Sequence, residues 1–159
     1  MATVNMKCKG YLNGVKKSGS INIKFKNPQF DVEWNEISGA KRGEQTTLDD
    51  FKDLGKDKWI TLAKKGRMVK YSISQAKKIE NTDAGNPKAF HKLLPIKQER
   101  SVKQIFEGVV ELSIVANWSD GYKFLIGGNT RLTAMMNIFG EGYAWQFNVP
   151  NKLTEVIER

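Results

Sequence analysis

The residues best equipped for chemistry lie in one stretch, Tyr122-Lys-Phe-Leu-Ile-Gly-Gly-Asn-Thr-Arg-Leu-Thr-Ala-Met-Met136. An apolar run meets Gly127-Gly128, and Leu132, Met135, Met136 and Phe139 then recur at helical spacing up to Gly140, a natural stop. A glycine pair lets the chain turn sharply and lets a ligand come close to the backbone. The first N–H groups of a helix have no intrahelical partners and sit at the positive end of its dipole. Asn129 or Thr130 can cap such a helix, and Arg131 in its first turn carries a fork of donors that grips a phosphate. A cation there costs energy unless an anion offsets it, which argues for an anionic partner. The competing reading is a turn that only redirects the chain, with Arg131 in solvent. The motif is neither a Walker loop nor a dinucleotide fingerprint.

Other chemistries have less to work with. His91 is the single histidine and Cys8 the single cysteine, so the chain holds no intrachain disulfide, no Cys/His zinc cluster and no His-Glu-x-x-His site. Any metal would be a hard cation such as magnesium. A phosphotransferase asks for a phosphate grip, a metal and a carboxylate to take the hydroxyl proton. Asp83, in Asn81-Thr-Asp-Ala-Gly-Asn-Pro87, is a candidate carboxylate, although this segment also reads as a capping loop. Trp34, Trp59 and Trp118 are either stacking platforms for bases or core residues.

The 159 residues carry a net charge of +9, which favours a polyanionic partner. Before Asn27 there are six lysines, Lys7, Lys9, Lys16, Lys17, Lys24 and Lys26, and no acid. Lys56 to Lys78 holds eight basic residues, among them Lys64, Lys65 and Arg67, against the single acid Asp57. Lys7, Lys9, Lys16, Lys17, Lys64, Lys65 and Arg67 are therefore the candidate DNA contacts, with a solvated surface or a protected strand edge as the plainer alternative. No apolar run reaches the length of a membrane span and the N-terminus lacks a signal-peptide core, so a cytoplasmic protein with no membrane partner is expected.

These residues need elements to hold them. Val4 to Phe25 reads as two strands around Gly14–Gly19, a basic ribbon. Thr47 to Leu54 and Asp57 to Lys65 read as short helices, and Ser72 with Gln75 has capping-box spacing. Asn86-Pro87 reads as a helix start running through Phe90 to Leu93. Ser101-Val-Lys-Gln104 reads as a second capping box ahead of Ile105-Phe106, with Gly108 as the stop. Val109 to Val115 is a β-branched strand, Trp118–Gly121 a turn, Tyr122 to Ile126 a strand, and Ala144 to Val149 a last strand ended by Pro150.

Leu94-Pro-Ile, Glu99-Arg100, Val102 to Ile105, Gly108, Ile114-Val115, Tyr122 to Ile126 and Gly127-Gly128-Asn-Thr-Arg131 follow one another in an order that resembles the ParB/sulfiredoxin superfamily. The resemblance covers Leu94 to Val149. In ParB proteins the turn reads Gly-Glu-Arg-Arg and in sulfiredoxins Gly-Gly-Cys-His-Arg. In both it holds nucleotide phosphates, and the resemblance carries that role to Gly127, Gly128, Asn129, Thr130 and Arg131, with Arg100 reaching the same phosphates. It implies ATP or CTP with Mg2+ as cofactor. Glu99 occupies the box in which the superfamily's free-serine kinases carry a catalytic glutamate. Asn129 stands in place of the sulfiredoxin cysteine, which argues against peroxiredoxin repair. ParB's centromere-binding helical domain has no counterpart in the sequence, so the resemblance is to a stand-alone core of the kind familiar among phage proteins.

The expected fold is α+β, a single domain with a mixed sheet flanked by helices. Residues 94–150 form the ParB/sulfiredoxin-like core, and residues 1–93 add a basic β-ribbon and helices. The expected function is nucleoside-triphosphate binding coupled to phosphoryl transfer onto a hydroxyl of DNA or a modified base. Glu99 and Asp83 are the candidate catalytic carboxylates. The alternatives are a non-enzymatic DNA-binding module switched by nucleotide, and a ParB-like nuclease.

Overall fold

The computed structural model describes residues 2–8, 11–12, 15–16, 19–39, 46–81 and 95–150. Asp83, His91, Lys9, Lys17 and the helix expected after Asn86 lie outside the described residues. The fold is α+β, with two mixed sheets flanked by helices, as the sequence led one to expect.

The basic ribbon is present. β1 (Ala2–Lys7) and β4 (Ser20–Lys26) pair antiparallel from Ala2 opposite Phe25 to Lys7 opposite Ser20. Between them β2 (Tyr11–Leu12) and β3 (Val15–Lys16) form a small hairpin of their own. Alternation in β4 puts Ile23 and Phe25 inside and Lys24 and Lys26 in solvent, the period of a half-buried strand. The ribbon does not stand alone: β7 (Val109–Glu111) runs parallel to β4 and completes a three-stranded sheet.

The second sheet has five strands in the order β5 (Arg67–Ser72), β10 (Glu141–Val149), β8 (Ser113–Trp118), β9 (Lys123–Gly127) and β6 (Glu80–Asn81). β10 lies antiparallel to β5 and parallel to β8, while β8 and β9 are antiparallel. Ser113 through Ala116 are all buried, because both faces of this sheet are covered and a doubly covered strand is apolar without alternation.

One face carries α5 (Pro95–Glu107), α6 (Asn129–Phe139) and the ribbon sheet. There Val115, Leu125 and Ala144 meet Ile105, Leu132, Met135, Met136, Phe25 and Val110. The other face carries α1 (Phe30–Gly39), α2 (Thr46–Leu54) and α3 (Lys56–Ala63). There Ile37, Leu48, Phe51 and Trp59 cover Ile114, Ala116, Phe124, Ile126, Phe147 and Val149. Trp145 Nε1 donates to Ala63 O at 2.9 Å and ties β10 to the end of α3. The short helix α4 (Ile73–Ala76) has the capping box expected of Ser72 and Gln75, with both reciprocal hydrogen bonds made.

Two expectations need correction, and the choice left open for Trp59 falls to the core. Ser101 is not an N-cap: α5 begins six residues earlier at Pro95, and Ser101 is buried within it. Proline at a first helical position supplies the start through its fixed φ. Val109 to Val115 is not one strand; the run breaks at Leu112, and its halves join different sheets. Trp59 is fully buried against Phe147 and Trp34, so it offers no face to a base.

Candidate functional site

The glycine turn forms as its residue types demand. β9 ends at Gly127, Gly128 takes φ +89°, and α6 begins at Asn129. A left-handed cap suits glycine and strains other residues. The N-cap is therefore Gly128 itself, which has no side chain to cap with, rather than Asn129 or Thr130. The carbonyl of Gly128 is held instead by the fully buried Ser113, whose Oγ donates to it at 2.7 Å, and by Leu132 N–H at 3.1 Å. A Cβ at position 128 would collide with Ser113 Oγ and lie 2.6 Å from Arg131 Nη2. Position 128 is thus closed to any side chain by both conformation and space.

Arg131 folds back over this turn. Its side chain is 22% exposed. Its Nε and Nη2 are buried with no hydrogen-bond partner among the described residues. Its nearest carboxylate oxygen, Glu33 Oε1, is 4.0 Å from Nη2, an ion-pair distance too long for a hydrogen bond. Buried guanidinium donors without acceptors cost free energy, and an anion is the kind of group that can satisfy them.

Glu33 was missed by the sequence reading. It sits on α1, an element not anticipated, although Asn27-Pro28 before Phe30, Trp34 and Ile37 at helical spacing was the available signal. α1 packs beside the end of β9 and lays the Glu33 carboxylate against Gly127, where a Cβ would collide with Oε2. Burial pushes the Glu33 carboxyl up to about 7; Arg131 pulls it partway back down, and Glu111 and Glu36 push it further up. Glu111, at the end of β7, accepts from Gln29 N–H at 3.0 Å just ahead of α1 and ties the helix start to the ribbon sheet.

The site is therefore Glu33, Ser113, Gly127, Gly128 and Arg131, contributed by α1, the start of β8, the end of β9 and the start of α6. No protein-family model, curated protein or solved structure matches this chain. The site's chemistry thus rests on its own residues. It sets the Arg131 donors beside a carboxyl that burial raises to about 7, groups whose chemistry is to hold an anion and to exchange a proton.

Of the other expected site residues, Glu99 and Arg100 fall in the second turn of α5. α5 packs against α6. Among the DNA candidates, Lys7 is exposed on β1, Lys16 belongs to β3, Lys64 and Lys65 are exposed just after α3, and Arg67 is exposed at the head of β5. Lys64, Lys65 and Arg67 are thus neighbours along the chain between α3 and β5, while Lys7 and Lys16 belong to the ribbon and its hairpin. Among the described residues no three His, Cys, Asp or Glu side chains gather into a metal site, and no helix is long and apolar enough to cross a membrane.

Proposed function

We propose that the Gly127–Arg131 turn binds the phosphates of a nucleoside triphosphate and that the chain transfers a phosphoryl group to a hydroxyl, with Glu33 taking the hydroxyl proton. One observation carries the reading: the buried Nε and Nη2 of Arg131, without a hydrogen-bond partner among the described residues, stand at the start of α6, 4.0 Å from a Glu33 carboxyl raised to about 7. Terminal phosphate oxygens would accept from Arg131 and from the first N–H groups of α6. The acceptor oxygen would attack the terminal phosphorus as the bond to the bridging oxygen breaks, the nucleoside diphosphate leaving with its electron pair and the proton passing to Glu33. With no three-ligand group among the described residues, Mg2+ would enter on the nucleotide's own phosphates and supply charge neutralisation there. The resemblance to ParB and sulfiredoxin domains supports ATP or CTP as the nucleotide and DNA or a modified base as the acceptor.

The reading gives Glu33 the part the resemblance assigns to Glu99, and the two can be separated. Incubation with γ-labelled ATP or CTP and DNA should move label to the DNA. Glu33→Gln should slow that transfer by about 100-fold or more, the usual share of a general base. If Glu99→Gln alone abolishes transfer, Glu99 is the base and Glu33 only positions Arg131. If nucleotide binds but label never moves, the chain is a nucleotide-switched binding module.

A further inference from the structure

A second region of the molecule owes nothing to the glycine turn. A cleft of about 940 Å³ opens between α3, the far ends of β8 and β10, and the β8–β9 turn. Ser113, beside the glycine turn, and Trp118, in the cleft wall, stand at opposite ends of β8. At the usual rise per strand residue they are about 16 Å apart. The cleft volume lies in the range of small-molecule and cofactor sites.

Its lining has two characters. Lys58, Lys65 and Lys123 bring three positive charges against the single acid Asp57. Trp118 supplies an aromatic wall, its indole propped by Phe51 at 5.7 Å and by Tyr122 at 5.2 Å between ring centroids. Asn117 and Asn148 add a pair of amides, with Asn117 Nδ2 donating to Asn148 Oδ1 at 3.0 Å. That bond leaves Asn117 Oδ1 buried without a hydrogen-bond partner among the described residues. Reversing both amides leaves an orphan just the same, a donor in place of an acceptor. A buried amide atom with no partner is costly, and a ligand with a complementary polar edge relieves it.

We propose that this cleft binds a nucleotide unit of single-stranded nucleic acid, the base against Trp118 with its polar edge on Asn117, and the flanking phosphates on Lys58, Lys65 and Lys123. Aromatic stacking beside a basic groove is how single strands are held without sequence preference, and the amide supplies a contact that a bare polyanion cannot satisfy. A free nucleotide presents the same chemistry, so the test separates the two sources.

The test is fluorescence anisotropy of a labelled 12-nucleotide single strand with the full chain, run beside an abasic strand of equal length. The intact strand should bind at least tenfold tighter than the abasic one. Lys58→Ala with Lys65→Ala should weaken it tenfold or more and flatten its salt dependence by about 1.4, two phosphate contacts' worth on a single strand. Trp118→Phe, which retains a ring, should weaken the intact strand only and leave the abasic strand unchanged. Arg131→Ala should leave strand binding unchanged, so this proposal and the phosphotransferase reading fail separately. Displacement of the strand by millimolar ATP, undiminished in Arg131→Ala, would assign the cleft to free nucleotide and overturn the single-strand assignment. Equal binding of intact and abasic strands, equal competition by poly-glutamate, or indifference to the lysine substitutions would also overturn the proposal.

Discussion

Glu33 stands in an environment that disfavours its charge, and Arg131 beside it partly relieves that. The Glu33 carboxyl, ordinarily near 4.5, is pushed up to about 7 chiefly by burial. Between those values the folded chain keeps a proton that the unfolded chain has lost. Its contribution to stability is therefore full below about pH 4.5 and is lost as pH rises to 7, about 3 kcal/mol in all. Urea melts of wild type and Glu33→Gln across pH 4.5 to 7.5 should show that difference opening up, since Gln does not titrate. Parallel curves would show that Glu33 ionises normally. The pair also couples proton to ligand. A phosphate that neutralises Arg131 removes the influence now holding Glu33 down, so nucleotide binding near pH 7 should take up protons, and transfer should speed up as pH rises and the bound complex gives that proton up, freeing Glu33 to act as base. Calorimetry in buffers of different ionisation enthalpy measures that uptake, and a binding heat independent of buffer would argue against it.

At the scale of elements, the turn at Gly127–Gly128 sets the geometry of everything around it. Gly128→Ala must place a Cβ at positive φ against Ser113 and Arg131. It should cost about 1–3 kcal/mol, read as a lowered denaturant midpoint, whereas an unchanged midpoint would mean that the turn relaxes freely. The capping box of α4 makes a smaller claim: Ser72→Ala should cost about 1 kcal/mol. The glycine turn, α2, α3, α4, the ribbon and, in the second sheet, β9 and β10 were legible because their signals are local, in glycine, capping pairs and short apolar periods; β5 and β6 were not anticipated. What was not legible depended on distant partners. Val109 to Val115 looks like one strand because β-branched residues suit any strand; its division at Leu112 follows from β4 claiming one half and β10 the other. Ser101 and Gln104 have the spacing of a cap, but Pro95 had already started the helix. α1 has too weak an apolar stripe to stand out, and with it went Glu33, the carboxylate of the candidate site.

For the molecule as a whole, the chain carries a surplus of nine positive charges, and among the described residues exposed basic side chains stand on the ribbon sheet and at the α3–β5 corner. The ribbon sheet shows Lys7, Lys24 and Lys26, and the α3–β5 corner shows Lys64, Lys65 and Arg67, all exposed. Duplex DNA should therefore bind mainly through phosphates, with an affinity that falls steeply as salt rises and depends little on sequence. A flat salt response would remove nucleic acid as a partner. The two sheets meet over a shared core in which β7 and β5, from opposite halves of the chain, complete sheets begun in the other half. That arrangement brings α1 from the N-terminal half over a turn that belongs to the C-terminal half.

The central claim is that Arg131 and the Gly127–Gly128 turn form an anion grip for nucleotide phosphates, and isothermal titration of ATP and CTP into wild type and Arg131→Ala tests it most directly. Circular dichroism and a thermal melt would confirm that the variant is folded. The account predicts that at least one nucleotide binds wild type and that Arg131→Ala weakens it by about 1.5–3 kcal/mol, the loss of a charge-assisted contact. Equal affinity in wild type and a folded Arg131→Ala, or no binding of either nucleotide to wild type, would contradict it.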